Sequence, residues 1–187
     1  LLLKIKMVQK IFFFIFIFLL ALFQVFFLSK IFPMHLVPNL ILLFVVFWTL
    51  KAGFEKTLKI AIFSGIILDI FYFWPIGINV LILVTVSFFA RFLGRRFLVG
   101  DFFFRSLWLM VAVSGAVILN EFLTQLIFSG LAFFQKGIPF QFSFGWRIVL
   151  EIIFHLLTFA IIYWPLQKIE ALISLYGRRI DPKYYVK

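Results

Sequence analysis

Cysteine is absent from all 187 residues. Disulfides, thiol nucleophiles and cysteine metal sites are therefore excluded. Acidic residues number only seven, and histidine occurs twice, at His35 and His155. Neither GxSxG nor HExxH is present, so serine-hydrolase and zinc-protease chemistry have no motif to rest on. Long polar stretches are missing too. Charged residues make up 13% of the chain, about half the share of an ordinary soluble domain.

What is present is apolar. Hydrophobic residues reach 65%, with 31 Phe. A soluble domain of this size cannot hide so much apolar surface, so the solvent is lipid, and a single integral membrane domain over 1–187 is expected. The N-terminal LLLKIKMVQK followed by IFFFIFIFLLALFQVFFL has the charge order of a signal peptide. Its apolar run is too long for one and no small-residue cleavage site follows, so it reads as a retained first span.

Crossing the hydrocarbon core takes about 20 apolar residues per helix. The candidate spans are Ile11–Leu28, Pro38–Leu50, Leu58–Phe73, Gly77–Phe92, Ser106–Phe133 and Trp146–Leu166. The expected fold is thus all-α with six transmembrane helices and both termini on one side. Lys and Arg choose that side, because they collect in cytoplasmic loops. Fifteen of the eighteen fall at the termini or in the loops after the second and fourth spans; Lys30, Lys136 and Arg147 fall opposite. Both termini are therefore expected in the cytoplasm. The net charge of +11 follows from topology and attraction to anionic lipids and needs no nucleic acid. Arg91, Arg95 and Arg96, together with Arg178 and Arg179, are candidate cytoplasmic contacts to lipid or a partner. Gly177 and Pro182 are expected to break the last helix and free the tail.

A few polar residues lie inside these spans. Asp69 stands in SGIILDIFYFWPIGINVL with no basic residue near it in sequence. Gly65 shares its helix face and lets a neighbouring helix approach. Pro75 and Gly77 make a turn, and Asn79 opens the next helix. Asp69 is expected to brace that turn through backbone N–H groups near Gly77 or through Asn79. Glu121, Glu151 and His155 fall at a similar outer depth, with Glu151 and His155 one turn apart. Intramembrane ionisable groups face protein or a water-filled cavity. Two readings follow: the four groups fix helix packing, or they line an outer polar cavity for a ligand or lipid headgroup. Lys136 and Arg147 could reach Glu121 or Glu151. His35 reads as a solvated interface residue, and the FFF runs at 12–14 and 102–104 as lipid-facing bulk.

The order of features over residues 38–96 resembles the MreD family of rod-shape-determining proteins. The shared features are Pro38 and Asn39 before the second helix, Gly53 in a basic turn, Gly65 and Asp69, the Pro75–Gly77 turn, Asn79, and the Arg91, Arg95, Arg96 cluster. Helices 1, 5 and 6 match in hydropathy alone, and the Phe excess departs from the family's Leu-rich habit. The resemblance implies a non-enzymatic, cofactor-free subunit of the bacterial elongation machinery in the cytoplasmic membrane. Its partners would be an MreC-like protein, a RodA-like glycosyltransferase, a class B penicillin-binding transpeptidase, and MreB on the cytoplasmic face. It also implies a fold similar to the S components of energy-coupling-factor vitamin transporters. Such an S component is the alternative function. Its first helix would carry small residues at four-residue spacing, whereas IFFFIFIFLLALFQVFF is too bulky for close approach.

Overall fold

The computed structural model describes residues 2–33, 36–97, 102–139 and 145–180, and those residues form six helices. The first, α1, runs over Leu2–Leu22, continues through a π-helical stretch, Phe23–Leu28, and ends in a last turn, Ser29–Ile31. Then follow α2 (Leu40–Ala52), α3 (Phe54–Tyr72), α4 (Ile78–Phe97), α5 (Phe102–Lys136) and α6 (Trp146–Ile180). The apolar stretches Phe13–Ile31, Trp108–Lys136 and Trp146–Lys168 are long and apolar enough to cross a membrane. Leu40–Ala52 and Ile78–Phe92 are shorter apolar helices.

The short helix α2 is the centre of the molecule and touches the other five. Leu40 to Phe47 and Thr49 are all buried. A helix that is apolar all round is one enclosed by other elements. Its 13 residues rise only about 20 Å, against a hydrocarbon core of about 30 Å. Around Phe44 the rings of Phe13, Phe16 and Trp48 lie 5.6–5.9 Å away. The first FFF run is therefore not all lipid-facing bulk: Phe13 belongs to the core, and Phe14 sits edge-on to Phe63. The second run, 102–104, has side chains outside the described set.

A single residue, Gly53, joins α2 to α3. Its φ of 89° and ψ of 162° suit glycine alone among the common residues. Its N–H closes α2 on Thr49 O at 3.0 Å, and its carbonyl receives Thr57 N–H and Oγ1–H. Helices α3 and α4 then pack at contact distance. A Cβ on Gly65 would lie 2.6 Å from the Val80 backbone, so this glycine lets two backbones meet as its place beside Asp69 suggested. Hydroxyls inside the helices bond back to their own carbonyls: Thr49 to Val45, Ser64 to Ile60, Ser87 to Leu83. That is how a polar side chain is carried through an apolar interior.

Several helix ends differ from the spans read in the sequence. The α2 helix begins two residues after Pro38, because Asn39 is its cap. Most of the others run past their apolar segments, since polar turns continue a helix beyond hydrocarbon. Most plainly, α6 passes through both Pro165 and Gly177 and continues to Ile180, the last described residue. Gly177 does not break it, because one glycine costs a helix only about 1 kcal/mol.

Replacing Gly65 by Val forces the α3 and α4 backbones apart, at a cost of about 1–3 kcal/mol for overpacking. The purified protein is expected to lose thermal stability in detergent, while Ile66→Val, on the exposed side of α3, leaves the melting temperature unchanged. Equal melting for Gly65→Val and wild type would contradict the close packing.

Candidate functional site

Two polar centres are built into the helices. The first closes α3. Phe73 is in the left-handed conformation, φ 54°, at the position a glycine usually fills after a helix. Trp74 N–H returns to Asp69 O at 3.0 Å and Phe73 N–H to Ile70 O at 3.3 Å, the paired bonds of a Schellman cap. The Asp69 carboxylate, fully buried, holds the other side of the turn. Oδ2 accepts from Gly77 N–H at 2.7 Å, and Oδ1 accepts from Asn79 N–H and Nδ2–H, each at 2.9 Å. The donors near Gly77 and at Asn79 are those the sequence pointed to. Gly77, at φ 113°, gives the turn a conformation that other residues rarely adopt. Pro75 O accepts Ile78 N–H at 3.4 Å and completes the loop.

The second centre gathers around the start of α2. A helix begins with four N–H groups that lack partners in the helix, and here that end is enclosed: Pro38 is buried and Leu40 is 5% exposed. Asn39 Oδ1 caps Leu42 N–H at 3.0 Å. Gln24, from the π-helical stretch of α1, accepts Ile41 N–H through Oε1 at 3.0 Å and donates to Tyr72 Oη at 3.2 Å. His155, from α6, accepts Asn39 N–H through Nε2 at 2.9 Å, and its Nδ1 lies 2.8 Å from Glu151 O. Accepting at Nε2 assigns the ring proton to Nδ1, so the imidazole is neutral and both nitrogens are engaged. Beside it, Glu121 Oε1 accepts from Arg147 Nη2–H and Gln125 Nε2–H, each at 2.9 Å, and Glu151 stands within electrostatic range of Glu121 and Arg147.

The structure thus divides the proposed outer cluster. Glu121, Glu151 and His155 come together around α5, α6 and the start of α2. The hydrogen bonds of Asp69 go to its own turn. Arg147 is in the first turn of α6 and reaches Glu121, one of the two carboxylates the sequence offered it. Of the basic residues, Arg91 has its guanidinium against Gly53. Arg95 and Arg96 lie in the last turns of α4, and Arg178 and Arg179 in the last turn of α6, with side chains outside the described residues. His35 lies outside them as well. Gln24 and Asn39 were missed as partners for the cap. An amide in IFLLALFQVFFL was the available signal, since an isolated polar side chain in an apolar helix needs a bonding reason.

Long apolar helices, no strand among the described residues and polar groups satisfied by other helices define an α-helical integral membrane protein. The rod shape-determining protein MreD family matches residues 4–169, nearly the whole chain. The protein belongs to that family, and its role lies in cell-shape determination. The match stops before Arg178 and Arg179. No curated protein and no solved structure matches the chain.

Two substitutions test these centres. Asp69→Asn keeps the acceptor for Asn79 but sets an amide N–H against Gly77 N–H, and is expected to cost about one hydrogen bond. Asp69→Leu removes both acceptor oxygens and so leaves three N–H donors without their partner, at about 1–3 kcal/mol for each donor that stays unpaired. Folded protein per membrane should therefore fall slightly with Asn and steeply with Leu. Normal abundance of the Leu variant would refute the brace. Likewise Gln24→Leu strands Ile41 N–H and should lower the melting temperature more than Phe23→Leu, at a half-exposed neighbour.

Proposed function

We propose that this chain is a non-enzymatic scaffold of the rod-shape machinery, crossing the cytoplasmic membrane six times with both termini in the cytoplasm. The observation that carries the reading is the family match over residues 4–169. The side chains support it. Asp69 is spent on its turn, Glu121 on Arg147 and Gln125, and both His155 nitrogens on backbone. These groups brace helices and are not poised to exchange protons with a substrate. The six-span topology is supported by the fifteen-to-three division of Lys and Arg. In it, α2 and α4 cross with the help of flanking turns. As in the S components of energy-coupling-factor transporters, the six helices would form one bundle.

The partners in this reading are an MreC-like protein, with a RodA-like glycosyltransferase and a class B penicillin-binding transpeptidase alongside, and MreB beneath the cytoplasmic face. The surface offered to a single-span anchor of MreC is the outer side of α1. Ile11, Ile15, Leu19, Phe23, Phe26 and Phe27 are each about half exposed there. Arg91 and the basic ends of α4 and α6 would meet anionic lipids.

Three measurements test the proposal. Deleting the gene in its own bacterium should turn rods into spheres, with full-length protein restoring them; unchanged shape would overturn the scaffold role. A reporter fused after Lys187 should work only if it is a cytoplasmic one. In this cysteine-free chain, Cys at Ile15 or Leu19 should crosslink to a Cys in the MreC anchor, and Cys at the buried Ile17 should not. Crosslinks confined to α5 or α6 would move the MreC surface there.

A further inference from the structure

Glu151 is only 9% exposed, yet its carboxylate accepts no hydrogen bond among the described residues, whereas its neighbour Glu121 is held by Arg147 and Gln125. Among the described residues no fully enclosed side-chain nitrogen or oxygen lacks a partner. The unpaired Glu151 oxygens therefore reach the surface. A carboxylate set this deep, with no bond from the described residues, is stabilised by a cationic or donor group from outside.

Arg147 stands one turn earlier on α6, about 6 Å along the axis, with its side chain 52% exposed. It spends one Nη2–H on Glu121, which leaves further guanidinium donors for an acceptor outside. Both residues lie in the first two turns of α6, at the end of the apolar segment Trp146–Lys168. Trp146 is 71% exposed beside them, as an aromatic residue at headgroup level is. Val149 and Ile153, further down α6, are open to acyl chains.

We infer that Glu151 and Arg147 together receive the headgroup of a zwitterionic phospholipid bearing a primary amine, with its ammonium on Glu151 and its phosphate on Arg147. The side-by-side opposite charges select this chemistry. An anionic phospholipid would satisfy Arg147 and leave Glu151 facing a like charge. A partner's lone basic side chain would satisfy Glu151 but meet the exposed Arg147 charge. A calcium-like cation takes six to eight oxygen ligands, and the described residues hold no group of three metal-ligating side chains. The site needs only that α6 begins at a membrane surface, so it stands apart from the scaffold role and from the choice of cytoplasmic face.

Native mass spectrometry of the full-length protein in detergent tests it, with equimolar phosphatidylethanolamine, phosphatidylglycerol and phosphatidylcholine added. The wild type should retain phosphatidylethanolamine about tenfold over the other two, an ordinary margin for one charge-assisted contact. Phosphatidylcholine lacks an N–H donor and reports on that bond. Glu151→Gln and Arg147→Gln should each bring the three lipids towards parity, while Lys168→Gln, at the other end of the apolar segment, should keep the preference. Equal retention by the wild type would overturn the inference and leave Glu151 to a basic group on a protein partner. So would an unchanged preference in Glu151→Gln, or a preference lost equally in Lys168→Gln. Where a variant fails to fold, the three-lipid comparison on the wild type decides alone.

Discussion

A helix that starts inside a membrane protein exposes N–H groups where neither water nor lipid can bond them. The first turn of α2 is such a place, and the arrangement of the molecule follows from satisfying it. Gln24 comes from α1, Asn39 from the cap itself and His155 from α6. Each of these bonds needs its parent helix at one depth and one rotation. The π-helical stretch of α1, which holds Gln24, adds a residue to the turn and so changes which side chains face inward. Hydrocarbon side chains give lipid-embedded helices little preference for one partner over another. The polar cap supplies that preference, and the Phe13–Phe16–Phe44–Trp48 cluster then fills the space around it.

Much of the Asp69 turn was legible because its parts are close in sequence. Asp69, Gly77 and Asn79 lie within eleven positions, and a lone carboxylate before a Pro–Gly turn has few possible partners. Gly65 could be read for the same reason: helical spacing put it on the Asp69 face. The cap of α2 was harder. His155 and Asn39 are 116 positions apart, and nothing in either neighbourhood announces the other. Grouping Asp69 with Glu121, Glu151 and His155 by depth alone joined residues whose bonds run separately, because depth fixes one coordinate and leaves two free. Gly177 was over-read as a breaker, since neighbouring turns with good helix formers carry a single glycine along.

Family membership and structure address different questions. The first ties the chain to cell-shape determination through residues 4–169. The second shows where its few ionisable groups go. Asp69, Glu121 and His155 are used to hold helices, which is what lipid demands of a polar group that must stay there. Glu151 stands out against that background, and its neighbour Arg147 gives it a context at the membrane surface.

The one-residue link at Gly53 carries a mechanical consequence. With no slack between them, α2 and α3 cannot slide along one another. A push on the Gly53 end of α3 is delivered to the buried cap of α2 at one end, and through Asp69 to α4 at the other. The Arg91 guanidinium of α4 lies beside that same link, so three helices meet at one joint. Load applied there is borne by the bundle as a stiff frame, with the α2–α3 joint having no loop in which to dissipate it.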